Sequence, residues 1–378
     1  MVARDRRAVC LHLVVARLSN DLTRELRDRV RGAAEAGTPL RLQGNGTKSF
    51  LGRASVGETL CLSAHTGILS YQPKELVITA RAGTPLREIE DALAEQGQML
   101  PFEPPHFADA ATGSDATIGG TIACGLSGPA RPYAGAARDL VLGIRVLTGR
   151  AEELRFGGEV MKNVAGYDLA RVMTGAFGTL GILLDISIKV LPVSATTRTL
   201  TYDSSAAEAI ERMNRLAAAP LPVSATCFDG ERLWIRLSGN QGGVAAAAER
   251  IGGERVDASL ANRFWADQLR EQRHPFFTGE QPVWRLSVPQ TTPPLSLLGD
   301  QLIEWGGAQR WLRSPADAAI IRCEAGAVGG HAALFRGGDR QSDVFHPLPT
   351  ALLALHRRLK RAFDPQGILN PGRLYRGL

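Results

Sequence analysis

Between Asp21 and Ala36 the apolar residues Leu22, Leu26, Val30 and Ala33 recur at intervals of three and four while charged residues fill the gaps. That spacing predicts a helix with one buried face, and Gly37 supplies its stop. Leu40 and Leu42 alternate as a short strand leading into a glycine-rich segment, and Ser70 to Ala82 reads as a strand or hairpin. Thr84-Pro85 forms an N-cap and first-turn pair for a helix that buries Leu86, Ile89 and Leu93 and stops at Gly97. Leu140 to Leu147 and Arg150 to Phe156 predict strands around Thr148-Gly149, and Leu180 to Leu191 another, ended by Pro192.

From Thr197 the pattern changes. Thr199 to Tyr202 is extended, Ala206 to Leu216 helical, Val223 to Phe228 and Leu233 to Leu237 a hairpin about Asp229-Gly230, and Val244 to Ile251 helical. Strand, helix, strand, strand, helix is the order of a split βαβ layer. The fold class expected is α+β in two parts, and no internal repeat is visible. The one low-complexity run, Gly242 to Ala248, suits an alanine-rich helix.

A chain of 378 residues with 44% hydrophobic and 22% charged content has the size and composition of a soluble protein with two cores. The net charge of +6 suits an anionic ligand, but basic residues are scattered and aromatics make up only 6%, so no nucleic-acid stacking platform is expected. The densest basic run, His356 to Arg361, reads as a solvated helix face. Cys10, Cys61, Cys124, Cys227 and Cys323 are odd in number, dispersed and without a CxxC pair. That pattern argues against a disulfide framework, a zinc site or an iron–sulfur cluster and for reduced cysteines in a cytoplasmic protein, with no metal expected. No run approaches the roughly 20 apolar residues that span a bilayer. Arg4, Arg6 and Arg7 before Ala8 to Ala16 imitate a signal peptide, but Asp5 and His12 interrupt it, so residues 1–19 are expected to be an extension ahead of the fold.

Two glycine-rich segments carry the chemistry: Arg41 to Lys48 and Thr117 to Gly125. Glycine permits positive φ and close backbone approach, so N–H groups can converge on phosphate oxygens. The first segment is neither a P-loop, since Lys48 follows Thr47 and not glycine, nor a Rossmann turn, since Ser49 stands where the third glycine belongs. A large anionic ligand held between two separate loops, neither running into a helix, is the reading that remains.

Such a pair of loops resembles the FAD-binding domain of vanillyl-alcohol-oxidase type flavoproteins. Leu76 to Thr84, Lys162 to Asp168 with Gly175 to Leu183, and the tail Phe363 to Arg373 are similar to segments of the glycolate oxidase and D-lactate dehydrogenase branch. Gly119 to Pro129 with Phe156 to Lys162 resembles the E-subunit family of bacterial glycolate oxidases. The resemblance implies an FAD-binding domain at 20–196, a cap over the flavin at 197–325, and a segment at 326–378 that returns to the flavin domain. It implies FAD contacts from Gln43, Gly44, Asn45, Gly46, Thr47 and Lys48, with Lys48 as a peripheral charge. Thr117, Gly119, Gly120, Thr121, Ala123, Ile182 and Asn370 complete the set. An ordinary glycine turn, close packing at the glycine pair, and a plain buried strand at Ile182 are the alternatives.

Many relatives attach FAD through a histidine of the first loop, but none lies between Gln43 and Arg53 here, so FAD is expected to bind noncovalently. Oxidation of a 2-hydroxy acid needs an arginine or metal for the carboxylate and a base in reach. His274, Arg285 and Arg322 are the candidates in the cap, each equally able to serve a structural role, and no paired metal-ligand histidines occur. The expected function is therefore an FAD-binding subunit of a glycolate-oxidising complex. Its expected partners are a catalytic flavin subunit and an iron–sulfur subunit, with membrane contact only through them. An autonomous 2-hydroxy-acid dehydrogenase and a cofactor-free scaffold are the alternatives.

Overall fold

The computed structural model describes residues 20–108, 115–158 and 168–378. The expected extension at 1–19, with Cys10, and the family-like stretch Glu159 to Tyr167 lie outside the described residues.

The amphipathic helix forms as Thr23–Ala36 and ends at Gly37, whose φ of 64° lets its N–H reach back to the carbonyls of Ala33 and Ala34. Its buried face, Leu26, Val30 and Ala33, packs on Leu40, Leu60, Leu147, Ile182 and Leu184 and on Ile368 and Leu369 from the tail. Leu40–Gln43 pairs in parallel with Glu58–Cys61. A five-stranded antiparallel sheet follows in the order Ile68–Gln72, Val77–Arg81, Ile182–Lys189, Val141–Leu147, Glu153–Gly157. Its interior strands are almost continuously buried, which explains their unbroken apolar runs. Leu86, Ile89 and Leu93 of helix Leu86–Ala94 and Ile118 and Ile122 of helix Ile118–Cys124 join Ile78, Ile144 and Ile186 of the sheet in one core.

Three local expectations need correction here. Pro85, not Thr84, stands at the helix N-cap, because the Thr84 hydroxyl is already engaged with the backbone of Gly67. The second glycine segment is a helix and not a loop: Thr117 Oγ1 accepts from Gly120 N at 3.2 Å, and Gly125, at φ 63°, closes it. Pro192 continues extended chain, pairing opposite Gln98 in the short ladder Gln98–Met99 with Leu191–Pro192.

The second part is an eight-stranded antiparallel sheet. Its first four strands lie in the order Glu254–Arg255, Thr196–Asp203, Arg232–Gly239, Val223–Phe228, the split βαβ arrangement, with Gly230 at φ 112° in the hairpin turn. Asp300–Glu304, Gln309–Arg313, Val283–Ser287 and His331–Arg336 extend it. The boundary expected at 325 falls inside helix Ala318–Ala327, and the strand after that helix forms the edge of this sheet, so the sheet runs past it.

Helices Ala206–Ala217 and Gln241–Ile251 supply Ile210, Met213, Val244 and Ala247 to a core shared with Leu233, Ile235 and Leu237 of the sheet. A separate cluster, with Trp234, Phe264, Trp265, Phe277, Trp311 and Phe335 from the second part, takes in Leu51 and Leu126 of the first part. Beside that cluster, Arg270 Nε donates to the Pro104 carbonyl at 2.9 Å. The two Glu271 carboxylate oxygens accept from the N–H groups of His106 and Phe107 at 3.1 and 2.8 Å.

The chain then returns. Helix Thr350–Phe363 leads to Leu369, which bridges Leu40. Lys360 Nζ, buried, donates to Asp364 Oδ2 at 2.8 Å and to the carbonyls of Thr179 and Leu369 at 2.8 and 2.7 Å. Asp364 in turn accepts from the N–H groups of Ile368 and Leu369.

Candidate cofactor cleft

The two glycine segments meet. A Cβ on Gly44 would stand 2.5 Å from Thr117 Oγ1, and Asn45 Nδ2 donates to the Asp115 carbonyl at 2.8 Å. Between them opens a cleft lined by Gln43, Gly44, Asn45, Gly46, Thr47 and Lys48 on one side and by Thr117, Gly119, Gly120, Ala123 and Cys124 on another. Ile182 and Leu183 form part of its wall, and Phe177, Gly178, Asn370 and Arg373 bound it further. Twelve of the thirteen residues expected to contact a cofactor line this cleft; Thr121 does not. It turns from the cleft on the helix Ile118–Cys124 and is fully buried, with no hydrogen-bond partner for its hydroxyl among the described residues.

Gly119 serves two ends. It borders the cleft, and a Cβ there would come within 2.6 Å of Ala82 Cβ and 2.7 Å of the Ala82 carbonyl oxygen, so the packing alternative also holds. Gly120 is different: its added Cβ would meet only Thr117 Oγ1 at 3.2 Å, which leaves its other side open. Gly46 needs its glycine for backbone reasons, with φ 77° in the tight turn before Ser49.

Asn370 joins three distant segments. Its Oδ1 accepts from Leu42 N at 2.8 Å, its Nδ2 donates to the Phe177 carbonyl at 2.7 Å, and its own backbone sits at φ 43°. Arg373 binds the carbonyls of Arg53 and Ser49 at 2.8 and 3.2 Å. Sequence reasoning missed Phe177 and Arg373 as lining residues, although both stand inside stretches already singled out, Gly175 to Leu183 and the tail to Arg373.

Lys48 is not peripheral. Only 7% exposed, its ammonium has contacts no closer than 3.5 Å to Thr47 Oγ1 and 3.4 Å to the His106 carbonyl, and it lies 5.8 Å from the Phe107 ring centre. Desolvation pulls its pKa down to about 8, with Cys124 and Glu271 opposing. Burial raises the Cys124 thiol, so it rests protonated against Lys48. Among the described residues, no group of three or more His, Cys, Asp or Glu can hold a metal, and Cys61, Cys124, Cys227 and Cys323 are all free thiols.

The three cap candidates are not brought together. His274 caps the short turn Pro275–Phe277 through Nδ1, which accepts from Phe276 N at 3.2 Å, and burial lowers its pKa. Arg322 donates to the Asp343 carbonyl and lies over Trp284. Arg285 faces a second, smaller cavity at the junction of the two parts, bounded by Phe107, Leu126, Ser127, Gln272, Glu304 and Trp311 among others. Burial lowers Arg285 to about 10 and raises Glu304 to about 7. Glu304 escaped sequence reasoning because nothing local to it signals burial.

A sequence-family profile described as an FAD binding domain matches residues 20–157, and one described as the C-terminal domain of FAD linked oxidases matches 347–374. The chain is 49% identical over 355 residues to glycolate oxidase subunit GlcE of Escherichia coli (strain K12), spanning 94% of this chain and 98% of that protein. It belongs to the GlcE family of FAD-linked oxidase subunits. A D-lactate dehydrogenase of Archaeoglobus fulgidus is 24% identical over 97% of this chain and 92% of its own length. Glycolate oxidase subunit GlcD of Bacillus subtilis (strain 168) is 30% identical over 53% of this chain and 43% of its own. An alkyldihydroxyacetonephosphate synthase structure superposes with TM-score 0.63 over 93% of this chain and 76% of its own at 16% identity, a likeness of fold.

Proposed function

We propose that the chain binds FAD noncovalently in the cleft between its two glycine segments and serves as the FAD-binding subunit of an enzyme that oxidises glycolate to glyoxylate. The observation that carries this reading is the convergence of residues 43–48, the helix Ile118–Cys124 and Asn370 on one cleft in a GlcE-family chain. Gly44 and Gly46 carry no side chain and that of Asn45 is tied to the Asp115 carbonyl, so the backbone N–H groups of this turn suit a diphosphate. The walls beyond, Ala123, Met173, Phe177 and Leu183, are apolar and suit a flat aromatic ring. When bound, FAD would supply a two-electron carrier, while a second flavin subunit performs or dominates the oxidation of the 2-hydroxy acid. Electrons then pass to an iron–sulfur partner, and a GlcD-like flavin subunit completes the complex. The chain acts in the cytoplasm, reaching a membrane only through its partners; among the described residues no helix is long and apolar enough to cross one.

Autonomous oxidation is the second reading, and one observation favours it: Arg285 and Glu304 line one cavity at the cap junction, a cation for a carboxylate and a carboxyl raised to about 7 that can take up a proton. Mixing the purified chain with FAD and glycolate separates the two. The expected result is retained yellow colour without rapid bleaching, and acid denaturation that releases all flavin to the supernatant. Rapid bleaching by glycolate favours autonomy; colour left on the denatured chain refutes noncovalent binding; colourless protein favours a cofactor-free scaffold.

A further inference from the structure

Lys48 is buried, lines the cleft and forms no ion pair among the described residues. Glu271, the carboxylate whose charge acts on Lys48, has both oxygens engaged by backbone N–H groups. A buried ammonium without a counter-charge costs several kcal/mol, and the two long contacts to Thr47 and His106 offset little of it. Negative charge arriving from a ligand would offset that cost. Arg373 differs: its guanidinium is already held by carbonyls.

The position of Lys48 along the cleft decides which part of the ligand it meets. Helix Ile118–Cys124 borders the cleft, with its Thr117 end against Gly44 and its Cys124 end beside Lys48. Seven residues at the helical rise separate those ends by about 10 Å. At the Lys48 end stand Phe107, Phe177 and Cys124, which also pack against the aromatic cluster of the cap junction. That end is walled by aromatic rings, and its other cation, Arg373, is already held by the carbonyls of Arg53 and Ser49, so it suits the ring better than a diphosphate.

We propose that the Lys48 ammonium is the cationic partner of the redox-active ring of FAD and not a phosphate contact, an assignment that rests on the cleft being the FAD site. Uptake of two electrons and one proton, delivered within the complex from the oxidation of glycolate to glyoxylate, would leave the ring with one negative charge, the second proton of that oxidation passing to solvent. Lys48 holds that charge in a site of low dielectric and so favours the reduced cofactor.

The test uses the full chain loaded with FAD, comparing wild type with Lys48→Met and Lys48→Arg. FAD affinity is read by ultrafiltration, the midpoint potential by dye equilibration, and sulfite affinity by flavin absorbance. The Met variant should keep FAD within about threefold of wild type, lose about tenfold or more in sulfite affinity, and shift its two-electron equilibrium by a similar factor, about 30 mV. The Arg variant should recover most of both. Where the Met variant does not fold, Lys48→Gln carries the same comparison. An unchanged potential and sulfite affinity, or a salt-sensitive tenfold loss of FAD affinity with unchanged potential, would overturn the assignment alone. A wild-type chain that takes up no FAD would overturn the cofactor reading and this assignment with it.

Discussion

Glu304 ends the strand Asp300–Glu304 with Oε2 accepting from Trp311 Nε1 at 2.6 Å and Gln309 Nε2 at 3.1 Å. Those donors favour the anion, yet burial outweighs them and lifts the carboxyl to about 7 from 4.5. The unfolded chain therefore releases this proton before the folded one does, and stability falls as pH rises from about 4.5 to 7. At 1.36 kcal/mol per unit the loss is about 3 kcal/mol. Urea unfolding at pH 5 and pH 8 should show a drop of that order in wild type relative to Glu304→Gln, which keeps an acceptor for Trp311; parallel pH profiles would refute it. Neither Glu304 nor the burial of Lys48 was legible in sequence, because desolvation is set by residues brought from elsewhere in the chain. Gly44 and Gly46 were legible, since what matters there is the missing side chain itself.

The C-terminal helix and tail show how an element finds its place. The run His356 to Arg361 reads as a solvated helix face, yet Lys360 within it is buried, and docking of the helix depends on its pairing with Asp364 one turn on. A Cβ on Gly149 would press within 2.3 Å of Asp364 Oδ1, so the turn after strand Val141–Leu147 must be glycine for the tail to seat. Asp364→Ala leaves Lys360 buried and unpaired and strands the N–H groups of Ile368 and Leu369. A loss of about 3–5 kcal/mol in urea unfolding is expected, with weaker FAD retention because Asn370 follows on the same tail; a loss under about 1 kcal/mol would contradict it. The second glycine helix carried signals of its own, Thr117 before it and Gly125 after it. A glycine pair with poor helix propensity hid them, and packing on Ala82 overrides that propensity.

Across the whole molecule, the cleft of the first part borders the aromatic cluster of the second, through Cys124 and Phe177, which line the cleft and pack against that cluster. A ligand in the cleft should thus stabilise both parts together. With free FAD at about 100 times its Kd the gain is about 2.7 kcal/mol. Thermal melts followed by far-ultraviolet and near-ultraviolet circular dichroism, the latter reporting Trp234, Trp265 and Trp311 in the cluster, should move upward by the same amount on adding FAD. A shift confined to one signal would show the parts to be uncoupled.

By itself the sequence determined the first helix, the helix after Pro85, the α+β order with its split βαβ layer, the glycine backbones and the missing histidine of the first loop, but not the helix Ile118–Cys124 or the four strands that extend the second sheet. Those it determined depend on neighbours a few residues apart, through helical and strand periodicity, cap chemistry and the φ range open to glycine. Only the tertiary structure decided that Gly44, Thr117, Ile182 and Asn370 share one cleft, that Thr121 turns away from it, that Lys48 is buried and that Arg285 and Glu304 line one cavity while His274 and Arg322 stand apart. Those outcomes follow from packing and desolvation between segments as distant as Leu42 and Asn370, and such couplings leave no periodic trace along the chain.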